Sequence, residues 1–281
     1  MGTLCIYRSF WSVDGEILTK VNTLKFYGST PPLFPGALKR GDNGSNVKEL
    51  QEWLTLQKKV VTIDGDFGPA TERALFEFSS SKSLGFSASR VLTASIWEAL
   101  TTPITNALHL ILPQSFLLTD VGKIISYIAG RHYELCAREV GGENCGPWVR
   151  LYTQGQEGKD WAWCAGFTSF ILKQTKEISG RVLQFPYSLS CDTYGLAARK
   201  QKALTISTEM DAIPAGSIFL INKSQNDWIH TGFVVDSDKD TIVTIEGNTN
   251  VAGSREGIAV MKRIRARKSN IHIIATPRLF Y

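Results

Sequence analysis

Apolar positions change period along the chain, and each period predicts an element. Residues 1–37 alternate weakly around "VDGE", which predicts a hairpin turn, and "STPPLFPG" then breaks regular structure as a linker. From 38 the spacing becomes helical. Val47, Leu50 and Leu54 share one face, with Ser45 or Asn46 as the expected cap. "DGDFG" reads as a tight turn, and Pro69 suits the first turn of a helix carrying Ala70, Ala74, Leu75 and Phe78. "VLTASIWEALT" predicts a short third helix, and 102–118, with its two prolines, a connector. Val121, Ile124, Ile125, Ile128, His132, Leu135 and Cys136 then form the stripe of a helix capped by Thr119. "DWAWCAGFTSFILKQT" predicts another helix, capped by Asp160, with Phe167, Phe170 and Ile171 recurring from Cys164 onward. Beyond 212 come "AGSIFLIN", "WIHTGFVVDSD", "TIVTIEGNTN", "GIAVMKRI" and "IHIIATPRLFY". These are short, β-branched or aromatic, and separated by turn residues, as strands are. Helices followed by an antiparallel sheet define an α+β fold.

Composition narrows the class without naming a function. A chain of 281 residues is comfortable for two domains. Its net charge of +5 suits an anionic partner, such as a cell wall, nucleic acid or membrane surface, and does not choose among them. The apolar runs are too short to span a bilayer. The N-terminus lacks a basic start, a long apolar stretch and a cleavage site, so no secretory signal is expected. The five cysteines, at 5, 136, 145, 164 and 191, are irregularly spaced and form no CxxC pair. That argues against a zinc site and against a disulfide framework. His132 and Cys136 stand at i and i+4 but have no third ligand nearby, so core packing is expected of them.

Cys164 is the residue whose chemistry needs support. A helix start favours a thiolate, because free backbone N–H groups and the helix dipole stabilise the anion. Ala165 and Gly166 are small enough to admit a substrate, and the same N–H groups suit a tetrahedral oxyanion. A nucleophile also needs a base. Of the four histidines, His109 lies in the connector, His132 on a core stripe and His272 between isoleucines. His230 remains. If Val235 pairs with Thr241 around the five-residue "DSDKD" loop, His230 lies directly across a hairpin from Glu246. Directly opposed side chains have Cβ atoms roughly 5 Å apart. Asn248 shares that face and is a second candidate for orienting the imidazole. Cys145 and Cys191 lack such surroundings and are expected to be structural.

Two segments carry resemblances. "LKRGDNGSNVKELQEWL", "IDGDFGPATERALFEF" and "SIWEAL", spanning 38–101, are similar to the three-helix peptidoglycan-binding domains found beside cell-wall hydrolases. "WAWCAGFTSFIL", "IPAGSIFLI", "HTGFVV" and "IEGNTN", within 119–281, resemble the CHAP family of NlpC/P60-type, papain-like cysteine hydrolases, and "GGENCGPWVRLY" resembles their approach segment. The resemblance implies a small three-helix bundle followed by a papain-like α+β domain with helices packed on an antiparallel sheet. It implies Cys164 as nucleophile, His230 as base and Glu246 as orienting residue with Asn248 beside it, acting on an amide bond of peptidoglycan. Trp161, Trp163 and Tyr187, with Trp148 nearby, are candidate cleft walls. No metal is expected, because 141–162 lacks the repeated aspartates of calcium-binding members, and no cofactor. The expected partner is peptidoglycan, through stem peptide and glycan, with no nucleic acid, no stable membrane insertion and a monomeric state. The protein is expected to be made in the cytoplasm and to act on the wall after release or injection, as a lysin or an antibacterial effector. The alternatives are a thiol acyl or peptidyl transferase and a non-catalytic wall-binding or phage-tail protein.

Overall fold

The computed structural model describes residues 30–84, 90–113, 115–116, 118–250 and 257–281. The hairpin expected around "VDGE" lies outside them. The protein is α+β. Seven α-helices and a six-stranded antiparallel sheet are present among the described residues.

Three helices come first: α1 (Ser45–Leu56), α2 (Pro69–Ser81) and α3 (Ala94–Leu108). The stripes Val47, Leu50, Leu54 and Ala74, Leu75, Phe78 are buried, as their spacing requires. The start of α1 differs from expectation. Gly44 is the N-cap, at φ 109° and ψ −166°, and no side chain caps the helix. That backbone is essentially confined to glycine, so conformation rather than a serine oxygen turns the chain in. The "DGDFG" turn is held by buried Gln51. Its amide donates to Asp64 (2.8 Å) and to the Asp66 carbonyl (3.0 Å), and its oxygen accepts the Gly65 N–H (2.8 Å). Helix α3 runs through Pro103 into the stretch expected to be a connector. Ile104 and Leu108 are buried in that extension. Each contributes about 1.5–3 kcal/mol, which offsets the ~3 kcal/mol of an interior proline.

Four helices follow: α4 (Val121–Glu134), α5 (Pro147–Tyr152), α6 (Cys164–Ser179) and α7 (Cys191–Lys200). The cap of α4 is Asp120, one residue beyond Thr119, and its carboxylate accepts the Lys123 N–H at 3.1 Å. Helix α6 has Trp163 as its N-cap, leaving Asp160 outside it. The strands are β1 (Leu204–Ile206), β2 (Ile218–Ser224), β3 (Asp227–Ser237), β4 (Thr241–Thr249), β5 (Ala259–Ala266) and β6 (Ile271–Ile274). They pair in the order β1-β6-β2-β3-β4-β5. Alternation divides them between two faces. Ile218, Leu220, Phe233, Ile245, Val260 and Ile274 join the helices in one core, while Phe219, Val234, Ile242, Ile271 and Ile273 form a second cluster with Ile213.

The N-terminal helices are fastened to the rest. Buried Glu52 of α1 receives both terminal nitrogens of Arg150 in α5, the closer at 2.6 Å, and Arg150 also holds Glu157 at 2.6 Å. The Gln174 amide of α6 donates to the Ala107 carbonyl of α3 at 2.7 Å. No helix among the described residues is long and apolar enough to cross a membrane.

Candidate active site

Strands β3 and β4 carry the site, and their register differs from the expected one. The pairs are Phe233↔Ile245 and Val234↔Thr244, then, after a bulge at Val235, Asp236↔Val243 and Ser237↔Ile242. The connection is tighter than a five-residue loop, with the Asp238 N–H donating to the Thr241 carbonyl. Gly232, rather than His230, therefore lies beside Glu246; a Cβ on Gly232 would come 3.1 Å from the Glu246 Cα. The displacement is two residues, and an even displacement leaves side chains on the same face. His230 and Glu246 consequently still meet, on a diagonal. His230 Nε2 donates to Glu246 Oε2 at 2.9 Å, with both side chains buried.

Glu246 is the most heavily bonded group in the site. Arg265 of β5 grips it with two parallel bonds, Nε to Oε1 and Nη2 to Oε2, each 2.6 Å, and the Thr244 hydroxyl donates to Oε1 at 2.5 Å. Burial would favour the neutral acid. The Arg265 guanidinium and the His230 imidazole overcome it and hold the carboxyl down to about 2.

Cys164 is the first residue of α6 and is buried. Its sulfur lies 3.7 Å from the sulfur of Cys191, the first residue of α7. The Cys191 thiol, the His230 imidazole and the Ala165 backbone N–H, acting against burial, hold the Cys164 thiol well below its usual range. His230 responds in the opposite sense. Burial disfavours its charge, yet Cys164 and Glu246 outweigh burial and raise it to about 9. Its Nε2 is committed to Glu246 and its Nδ1 makes no hydrogen bond, so the influence of Cys164 and His230 on each other is electrostatic. A thiolate–imidazolium pair oriented by a carboxylate is therefore the favoured charge state.

Asn248 serves the helix rather than the imidazole. A register shift in the β4–β5 ladder between Glu246 and Thr249 accompanies φ 52° at Asn248, a left-handed conformation that asparagine tolerates. Its amide oxygen accepts the backbone N–H of Trp163 at 3.2 Å and its amide nitrogen donates to the Gly257 carbonyl at 2.5 Å. Asn248 thus fixes the residue preceding Cys164. Gly247 between them has its own reason: a Cβ there would lie 2.6 Å from the Phe167 Cβ on α6.

The aromatic candidates divide. Trp161 and Tyr187 are exposed, at 37% and 44%. Trp163 and Trp148 are buried. Trp163 stacks on Tyr152, with ring centroids 5.3 Å apart, and donates its indole N–H to Glu139 at 2.8 Å, so it offers no wall to a cleft. Tyr187 borders a cavity of about 660 Å³ together with Arg150, Lys173 and Lys176. A second cavity, of about 580 Å³, lies against Asn248, Glu139, Asn144 and Lys159. The Cys164 sulfur lines neither. Ala165 and Gly166 are buried as well, and Gly166 is required by packing: a Cβ there would sit 2.6 Å from the Tyr152 carbonyl oxygen.

The other histidines and cysteines fall elsewhere. His132 is core, bonded to the Tyr152 hydroxyl at 2.8 Å and to Gln174 at 3.0 Å. Trp228 donates to His272 Nδ1 at 3.1 Å, and His109 ends α3. Cys136 is disulfide-bonded, where core packing and no disulfide framework were expected, whereas Cys145, Cys164 and Cys191 are reduced. No group of three or more His, Cys, Asp or Glu side chains among the described residues could hold a metal ion.

Sequence reasoning missed Arg265 and the place of Cys191. Arg265 had a usable signal, since it directly follows the expected strand "GIAVMKRI" in alternation with Arg263, and a buried carboxylate needs a cation. Cys191 had a faint one: Cys191, Tyr194, Gly195 and Ala198 recur at helical spacing, but the stripe is short and a glycine breaks it. No family model, curated protein or solved structure matches the chain.

Proposed function

We propose that the protein is a cysteine hydrolase that cleaves an amide bond of peptidoglycan. The observation that carries this reading is the coupled set Cys164–His230–Glu246. A thiol held low at a helix start is electrostatically coupled to an imidazole raised to about 9, and a buried carboxylate holds that imidazole's Nε2. The Cys164 thiolate attacks the carbonyl carbon. The developing oxyanion is held by first-turn N–H groups of α6, that of Cys164 among them. His230 passes its proton to the leaving amine, and a thioester remains. His230 then takes a proton from water, the hydroxide attacks the thioester, and the acid and the thiolate are released. Glu246 keeps the ring oriented and stabilises its charged form. Arg265 keeps Glu246 ionised.

The choice of peptidoglycan rests on the wall-binding resemblance of 38–101 and on the CHAP-like motifs around the three residues. In this reading α1–α3 are the wall-binding bundle, and α4 to β6 form a papain-like domain. The test is digestion of purified sacculi by the wild-type chain and by Cys164→Ala, followed by mass spectrometry of the released muropeptides. New amine and carboxyl ends with the wild type, and none with the variant, support the reading. Undiminished lysis by Cys164→Ala would end it. Products carrying an added amine in place of water would reassign the chemistry to transfer.

A further inference from the structure

The juxtaposition of Cys164 and Cys191 is built into the fold. Each is the first residue of a helix, and the N-termini of α6 and α7 converge so that the sulfurs lie 3.7 Å apart. Three contacts hold α7 in that place. The Tyr194 hydroxyl bonds that of Ser169 on α6 at 2.5 Å. Asp192 accepts the Trp228 backbone N–H of β3 at 2.7 Å. Gly195 lies so close to the Trp228 indole that a Cβ would approach it to 2.4 Å. Cys191 is thereby anchored to both elements that supply the site, α6 with Cys164 and β3 with His230. Hydrolysis needs one thiol, and the second has no step in it. Closing 3.7 Å to a sulfur–sulfur bond of about 2 Å requires about 1.7 Å of movement.

We propose that Cys164 and Cys191 form a redox pair, in which a hydroperoxide oxidises Cys164 and Cys191 closes the disulfide. The Cys164 thiolate attacks one peroxide oxygen, the O–O bond breaks, and the alkoxide or hydroxide leaves and takes up a proton. Cys164 becomes a sulfenic acid. The Cys191 thiolate then attacks that sulfur, the S–O bond breaks, and water departs with the proton that Cys191 gave up. Two thiols lose two electrons in all, and the peroxide gains them. A small dithiol reverses the bond by exchange. Exposures of 5% and 8% admit a small peroxide more readily than a bulky thiol reagent. Cys145 is the internal comparison: its sulfur donates to the Glu143 carbonyl, and burial with the Glu157 charge disfavours its thiolate.

Loss of hydrolysis on closure rests on the nucleophile reading, whereas the bond itself does not. The experiment treats the full chain with hydrogen peroxide, blocks remaining thiols with N-ethylmaleimide, and digests it with trypsin without reduction. Cys164 falls in peptide 160–173, Cys191 in 182–199 and Cys145 in 139–150, so every linkage has its own mass. The expected product joins 160–173 to 182–199, is absent from Cys191→Ser and Cys191→Ala, and disappears with dithiothreitol. Lytic activity of the wild type is lost with peroxide and regained with the dithiol; in Cys191→Ser it is not regained, and Cys164 accumulates as sulfinic acid. Sulfinic acid at Cys164 of the wild type without the linkage, or a linkage to Cys145 instead, would overturn the proposal. A linked chain that never lyses sacculi, reduced or oxidised, would remove the hydrolase reading and leave the redox pair standing.

Discussion

Two histidines of this protein are equally buried and oppositely charged in tendency. His132 sits among Trp148, Tyr152, Phe167 and Phe170, bonded to a tyrosine hydroxyl and a glutamine carbonyl. Burial pushes its imidazole down to about 4. His230 is no more accessible, yet stands at about 9, because its partners are a carboxylate and a thiol that ionises. Both rings lose their water. Neutral dipoles satisfy the hydrogen-bonding capacity of His132 without repaying the loss of hydration of a charge, whereas the ionised partners of His230 do repay it. Withdrawal from solvent thus makes one ring inert, and the same withdrawal strengthens the electrostatics of the other.

The contrast breaks most visibly in activity. Cys164→Ala and His230→Ala should each lower turnover by at least about 10⁴-fold, while His132→Gln, assayed per folded molecule on purified sacculi, should retain most of it. Next comes the carboxylate. Glu246→Gln keeps the shape but leaves Arg265 half-buried without its counter-charge, and a broken buried pair costs about 3–5 kcal/mol. Urea unfolding should show that loss, and His230 should titrate below about 9 in NMR of the variant. A smaller effect belongs to Asn248→Ala, which strands the Trp163 N–H and the Gly257 carbonyl at about 1–3 kcal/mol. Smallest is Tyr152→Phe, which strands one buried group, His132 Nδ1, where Asn248→Ala strands two, at about 1–3 kcal/mol.

Acidity sharpens the same contrast with opposite signs. The raised pKa of His230 means that the folded state holds a proton the unfolded chain releases above 6.5. Its stabilisation is complete below 6.5 and is lost as pH rises through about 9. The depressed pKa of His132 means that the unfolded chain takes up the proton first, so stability falls as pH drops from 6.5 towards about 4. Glu246 holds its contribution above 4.5 and loses it as pH falls through about 2. The lowered Cys164 thiol opposes His230 over the alkaline range, because the unfolded thiol keeps its proton where the folded one has lost it, so unfolding free energies should decline chiefly towards pH 4. His132→Gln should remove part of that acid limb.

What the sequence revealed follows the difference between parity and position. Alternation in "WIHTGFVVDSD" and "TIVTIEGNTN" assigns faces, and faces survive a register error of two residues. The His230–Glu246 pairing was legible for that reason, although the loop length behind it was not. Helix stripes were legible because burial enforces them: Val47, Leu50 and Leu54 are all fully covered. Caps were less so, since Gly44 and Trp163 start helices by backbone geometry, which leaves no side-chain signature. Helix α7 stayed hidden because Gly195 interrupts it, and its reason, the Trp228 indole, lies on a strand 33 residues away. Arg265 belongs to the same kind of omission, a partner supplied by the fold to a charge that the pattern had already buried.

The run Ile245, Glu246, Gly247, Asn248 gives four neighbouring residues four different duties: core, carboxylate, close approach to α6, and anchor of its first turn. Removing one codon upstream of it in β4 would not dull the protein by degrees. It would drive the carboxylate into the core place of Ile245, press Asn248 against Phe167, where Gly247 now fits, and move the anchoring amide off Trp163. Substitutions along this strand should therefore be graded in effect and single-residue insertions or deletions all-or-none. The tolerance of this segment to change is set by its reading frame more than by the identity of any one residue in it.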